Sequence, residues 1–106
     1  MPAYNKLVRD YIPQIIEKDG KKCIIRTLNE KEFATELKKK LQEETAEYLQ
    51  ADNDQEALEE LADVMEIIHS FAEVHGGNIE IVEKIRREKQ ESRGGFKDRI
   101  FLKEVE

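Results

Sequence analysis

The chain has no tryptophan, a single cysteine among 106 residues, and only 7% aromatic positions. A lone cysteine, Cys23, forms no intrachain disulfide. No apolar run reaches the length of a membrane span, and the stretch from Met1 to Asp10 is charged too early to hold the apolar centre of a signal peptide. A reducing, cytoplasmic setting is the expectation. Basic residues are also in deficit: 18 Lys and Arg stand against 24 Asp and Glu, a formal net charge of -6. Such a surface as a whole repels nucleic acid and anionic membranes, and it leaves room for a local basic patch that binds phosphate.

What is present fits one domain, taken as residues 1–106, since 12.4 kDa is too little for two ordinary cores. Charged residues make up 40% and hydrophobic residues 39%. The apolar positions recur at helical spacing within charged surroundings, which argues against disorder. Pro13 suits the first turn of a short helix carrying Ile12, Ile15 and Ile16. Asp19-Gly20 breaks the chain, and the β-rich stretch Cys23 to Leu28 reads as an edge strand or an extended connector. Asn29 with Glu32 forms a helix-capping pattern, opening a long helix through Ala51. Asp52-Asn53-Asp54 turns the chain into a second long helix, from about Gln55 to His75, which Gly76-Gly77 ends. Two long helices joined by a tight turn are antiparallel neighbours. Asn78 caps a further helix with Ile79, Val82 and Ile85 that stops before Gly94-Gly95, and a tail from Phe96 to Glu106 holds Ile100-Phe101-Leu102. The fold class is all-α, a helical hairpin with shorter helices that forms a four-helix-bundle-like core on oligomerisation.

At about 100° per residue, some carboxylates fall inside the apolar stripes. Phe33, Leu37, Leu41, Tyr48 and Ala51 lie within roughly 60° of Glu44, while Glu43 points to solvent. Val64, Ile67, Phe71 and Val74 lie within roughly 40° of Glu60, while Glu59 turns away. Three residues after each misplaced acid comes another at the edge of the same face: Glu47 after Glu44, and Asp63 after Glu60. An unpaired buried carboxylate costs several kcal/mol, and four facing one another repel, so a positive centre is required. An all-oxygen set without Cys or His suits magnesium, with manganese as a substitute, and disfavours zinc. Either motif alone is a cheap pattern in an acid-rich chain; its repetition in the same register on two adjacent helices is what points to a site. A di-iron reading of Glu66-Ile67-Ile68-His69 fails, because His69 lies about 180° from Glu60 and His75 has Ala72 three residues before it. Both histidines read as surface or helix-end residues, and Cys23 and Met65 as packing residues.

Lys40, about 40° from the direction of Glu44, either approaches the site or pairs with a nearby acid. Arg86, Lys89 and Arg93 share one face of the last helix and either collect phosphate oxygens or pair with Glu83, Glu88 and Glu91. Lys6 and Arg9 have no periodicity behind them.

These residues resemble the MazG-like nucleotide pyrophosphohydrolases, within the all-α NTP pyrophosphatase superfamily that also contains phosphoribosyl-ATP pyrophosphohydrolases and dimeric dUTPases. Glu43-Glu44-Thr45-Ala46-Glu47 matches the E-E-x-x-E motif of that group and Glu60-Leu61-Ala62-Asp63 its E-x-x-D. The stretch Tyr4 to Pro13 and Arg93-Gly94-Gly95-Phe96 are similar to a small stand-alone subgroup. The resemblance implies that Glu44, Glu47, Glu60 and Asp63 hold magnesium, the four that the helical wheels select independently. It implies hydrolysis of a nucleoside triphosphate between the α and β phosphates, with clearance of non-canonical nucleotides as the role and phosphoribosyl-ATP hydrolysis as the enzymatic alternative. Glu43 or Glu47 would assist as base, and Lys40, Arg86, Lys89 and Arg93 would bind phosphate. Tyr4, Tyr11, Tyr48 and Phe96 are the aromatic candidates for stacking on a base. A homodimer or higher oligomer is expected, because two helices do not close a core around four acids. A non-enzymatic alternative is a helical interaction module whose acids pair with a partner.

Overall fold

The computed structural model describes residues 4–106, so the first three positions of the Met1 to Asp10 stretch lie outside the described residues. The described chain is all-helical: α1 (Ile12–Lys18), α2 (Glu30–Leu49), α3 (Asp54–Val74) and α4 (Ile79–Arg93). Pro13 sits in the first turn of α1, where its missing N–H costs nothing. α2 begins with a complete capping box. The Asn29 side chain accepts from the Glu32 backbone N–H at 2.8 Å, and the Glu32 carboxylate accepts from the Asn29 N–H at 3.5 Å. Asn53 and Asn78 cap α3 and α4 without the reciprocal half of the box, their side chains accepting from the Glu56 and Ile81 backbone N–H groups. Asn29→Ala should therefore lower stability by about 1 kcal/mol in urea titrations, and an unchanged midpoint would show that α2 needs no cap.

Residues 21–29 contain no helix or strand, and Ile24 is fully exposed, so the β-rich stretch is an extended connector. A single short run with no second strand beside it has no ladder to complete. α2 and α3 form the antiparallel hairpin expected from the tight turn at residues 50–53, and α4 packs on α3 alone. Gly76 makes that second turn with φ +77°, a left-handed conformation at no cost to glycine, while the Gly77 N–H donates to the Ala72 carbonyl at 2.8 Å. No described helix is long and apolar enough to cross a membrane.

The hairpin core is small. Leu37 of α2 and Ile67 and Ala72 of α3 are buried at 4%, 6% and 7% exposure. Phe33, Leu41, Val64 and Phe71 are half-buried around them, as the wheels predict. Tyr48 and Val74, assigned to the same stripes, are both 38% exposed, each within one turn of the C-terminal end of its helix. Met65 is not a packing residue within one chain: it is 58% exposed on a second apolar seam of α3, where Leu58, Leu61 and Ile68 are exposed as well.

Candidate metal centre

The site lies where α2 and α3 face one another. Glu44 leaves α2 on the same face as Leu37, seven residues earlier, and is only 9% exposed. Glu60 leaves α3 seven residues before Ile67 and is half-buried. One carboxylate oxygen from each of Glu44, Glu47 and Glu60 lies within 4.8 Å of the others. Glu44 Oε2 and Glu60 Oε2 are buried and accept no hydrogen bond from the described residues. Buried carboxylate oxygens normally find donors, so two without one, on facing helices, are groups that a cation would satisfy. The donors are all hard oxygens, with neither imidazole nor thiolate among them, and this fits magnesium or manganese.

Asp63 stands close enough to Glu44 and Glu60 to act on their ionisation, yet its Oδ1 accepts from Arg9 Nη2 at 2.7 Å. Arg9 is thus part of the site's surroundings, although it lies on a segment outside every helix, where helical periodicity gives no signal. Lys40 does both things considered for it: its Nζ is 3.7 Å from Glu44 Oε1 and 3.7 Å from Glu43 Oε2. Glu43 is exposed, and Glu59 is turned outward, where Gln55 donates to it at 3.3 Å. Glu66 and His69 are exposed, and His75 caps α3 with its ring stacked on Phe71 at 6.4 Å.

Within one chain α4 packs on α3 and does not touch α2, so its basic residues are not brought to Glu44 and Glu47. Arg86 donates to Glu83 at 2.9 Å, and this pair draws the Glu83 carboxyl down to about 2. Lys89 and Arg93, with Arg86, Gln90, Gly94, Gly95 and Phe96, line an open hollow of about 590 Å³ at the end of α4.

Burial is the main force pushing the Glu44 carboxyl up to about 7, followed by the Glu47 carboxylate beside it and the charge of Asp63. Glu60 is raised for the same first reason, with Glu47 next. The folded chain therefore holds a proton on Glu44 at a pH where the unfolded chain, near 4.5, has lost it. That stabilisation is complete below pH 4.5 and disappears as pH rises through about 7. After screening by solvent, the metal-free protein should lose on the order of 1–2 kcal/mol across this window. Urea midpoints in EDTA at about pH 5 and pH 8 measure it; a midpoint that climbs toward pH 8 would contradict the assignment. The low-lying Glu83 titrates below the window and does not blur it.

No family model matches the chain, and no solved structure matches it. An uncharacterized protein of Mycolicibacterium smegmatis is 46% identical over 54 residues, which is 51% of this chain and 55% of that protein. The chain thus spans about half the length of this curated relative.

Proposed function

We propose that this protein is a magnesium-dependent nucleoside triphosphate pyrophosphohydrolase of the MazG-like kind, working in the cytoplasm on non-canonical nucleotides. The observation that carries this reading is the pair of buried, unpartnered oxygens of Glu44 and Glu60, set on facing helices beside Glu47. Glu44, Glu47 and Glu60 would hold the cation, and Asp63 would join them on release from Arg9. When bound, a divalent cation supplies positive charge against the phosphates and acidifies a water. Glu47, at the cluster, or Glu43, exposed at its edge, receives the proton of the attacking water. Lys40, 3.7 Å from Glu44, would meet a phosphate oxygen instead of a carboxylate when substrate is bound. Water adds at the α phosphorus, the bond to the bridging oxygen breaks, and the products are a monophosphate and pyrophosphate.

Incubation with magnesium and a panel of canonical and modified triphosphates, together with phosphoribosyl-ATP, tests this directly. Monophosphate and pyrophosphate should form, with a loss of at least 100-fold in Glu60→Ala, as expected when the held charge at a phosphoryl centre is removed. Diphosphate and phosphate would overturn the cleavage position, and no turnover together with no magnesium binding would favour an interaction module.

A further inference from the structure

Among the described residues, two cations reach the acid cluster within one chain. The salt bridges to Glu44 and Asp63 come from Lys40, on α2 itself, and from Arg9, which lies 54 positions from Asp63 along the chain. Arg86, Lys89 and Arg93 of α4, expected from the sequence to collect phosphate, line a hollow of their own instead. Arg9 is thus the cation that the fold delivers to the site from a distant part of the sequence.

The backbone of Arg9 is anchored and its head is free. Leu7 and Val8 before it are half-buried, and its carbonyl accepts from the Ile12 N–H at 3.1 Å in the turn that opens α1. The guanidinium makes a single-pronged contact to Asp63, Nη2 to Oδ1 at 2.7 Å, and the two side chains are 57% and 40% exposed. An ion pair so open to water contributes little and exchanges partners readily. Asp63 faces a second claim. It follows Glu60 by three residues on α3, which puts it on the same side of the helix, and its charge is felt at both Glu44 and Glu60. Glu44, Glu47 and Glu60 bring one oxygen each within 4.8 Å, whereas a hard divalent cation takes about six. Asp63 is the carboxylate at hand to extend the set.

We propose that Arg9 is a displaceable counter-ion and then a phosphate-binding residue: it holds Asp63 in the metal-free protein, yields it to the cation, and turns its freed guanidinium to phosphate oxygens of the ligand. A doubly charged ion outcompetes one guanidinium for a single water-exposed carboxylate oxygen, because the attraction scales with the charge. The displaced side chain still starts from the same anchored backbone, so it stays beside the centre. Its planar fork then matches two oxygens of a phosphate, a geometry that the ammonium of Lys40 does not offer. The exchange keeps charge matched in both states: Arg9 and Lys40 answer the acids when metal is absent, and answer the phosphates when metal has taken the acids. This inference deepens the proposed activity and rests on the same cation centre.

Manganese binding to the full chain, read from the EPR signal of the free ion with no nucleotide present, tests the first half. Arg9→Ala should bind the ion about five-fold tighter than wild type, the weight of one exposed ion pair. In an Asp63→Asn background the same substitution should change nothing. That background separates competition from the mere loss of a positive charge near the acids, which would tighten binding in both. Inorganic pyrophosphate, titrated into the manganese-saturated protein, tests the second half. Arg9→Ala should weaken it by about ten-fold or more although it holds metal better, and Arg9→Lys, which keeps the charge without the fork, should fall between. Both side chains of the pair are substantially exposed, so the helical circular dichroism of the variants should match wild type. Manganese affinity unaltered by Arg9→Ala, or tightened equally in both backgrounds, would overturn the competition and leave the cation centre standing. Undiminished pyrophosphate binding would overturn the phosphate role. No manganese binding by the wild type would remove the centre itself, and this proposal with it.

Discussion

Magnesium will raise the melting temperature of this protein, and Glu60→Ala will lose most of that rise. A ligand that binds only the folded state stabilises it by about 2.7 kcal/mol at a hundred times its dissociation constant. For a domain of this size that corresponds to on the order of 10 °C. The increment should be large because the metal-free site holds like charges at close range, with Glu44, Glu47 and Glu60 sharing 4.8 Å and two oxygens accepting nothing from the described residues. The same reasoning gives Glu44→Gln the opposite starting point. At about pH 8 the amide removes a buried charge and can donate to its neighbours, so the variant should melt higher than wild type in EDTA and respond less to magnesium. Calorimetric melts with and without magnesium decide it. Equal rises in wild type and both variants would place the cation elsewhere, and no rise in wild type would remove the metal centre altogether.

Leu37→Ala will destabilise the protein by about 2–5 kcal/mol, the range for deleting a buried leucine whose surroundings do not collapse. Among the described residues, Leu37 and Ile67 are the two large apolar side chains buried below a tenth exposure, one on each helix of the α2–α3 hairpin and each two turns from the acid on its own helix. A loss of this size is a large fraction of the 5–15 kcal/mol that holds a typical domain together. The melting temperature, compared at one protein concentration, should fall by roughly 10 °C or more. Ile24→Ala is the control, since Ile24 is fully exposed on the connector and its change should stay within about 0.5 kcal/mol. If the two variants melted alike, the hairpin interface would not be the source of stability.

The helices were legible in the sequence because their signals are local. Asn29, Asn53 and Asn78 each cap the helix that follows, the glycine pair at 76–77 separates α3 from α4, and the observed ends lie within two residues of those the pattern predicts. Glu44 and Glu60 were legible for the same reason. A carboxylate in the middle of an apolar stripe is visible on a helical wheel before any partner is known, and the spacing that places Glu47 on the same edge is as short.

What only the tertiary structure decided involves residues that are far apart along the chain or not on a helix. That Glu44, Glu47 and Glu60 converge while Asp63 is held aside by Arg9 depends on how far α2 and α3 are offset along their axes, and on where a segment without periodicity comes to rest. The wheel gives direction around a helix and carries nothing about position along its neighbour. The same limit explains α4. Its basic face was readable from spacings of three and four, but only the packed chain shows that this helix touches α3 and not α2, leaving Arg86, Lys89 and Arg93 at a hollow of their own. Periodicity fixed which residues seek burial, whereas the number of elements available to bury them is a property of the assembled chain, and here it leaves the α3 seam and the C-terminal tail uncovered.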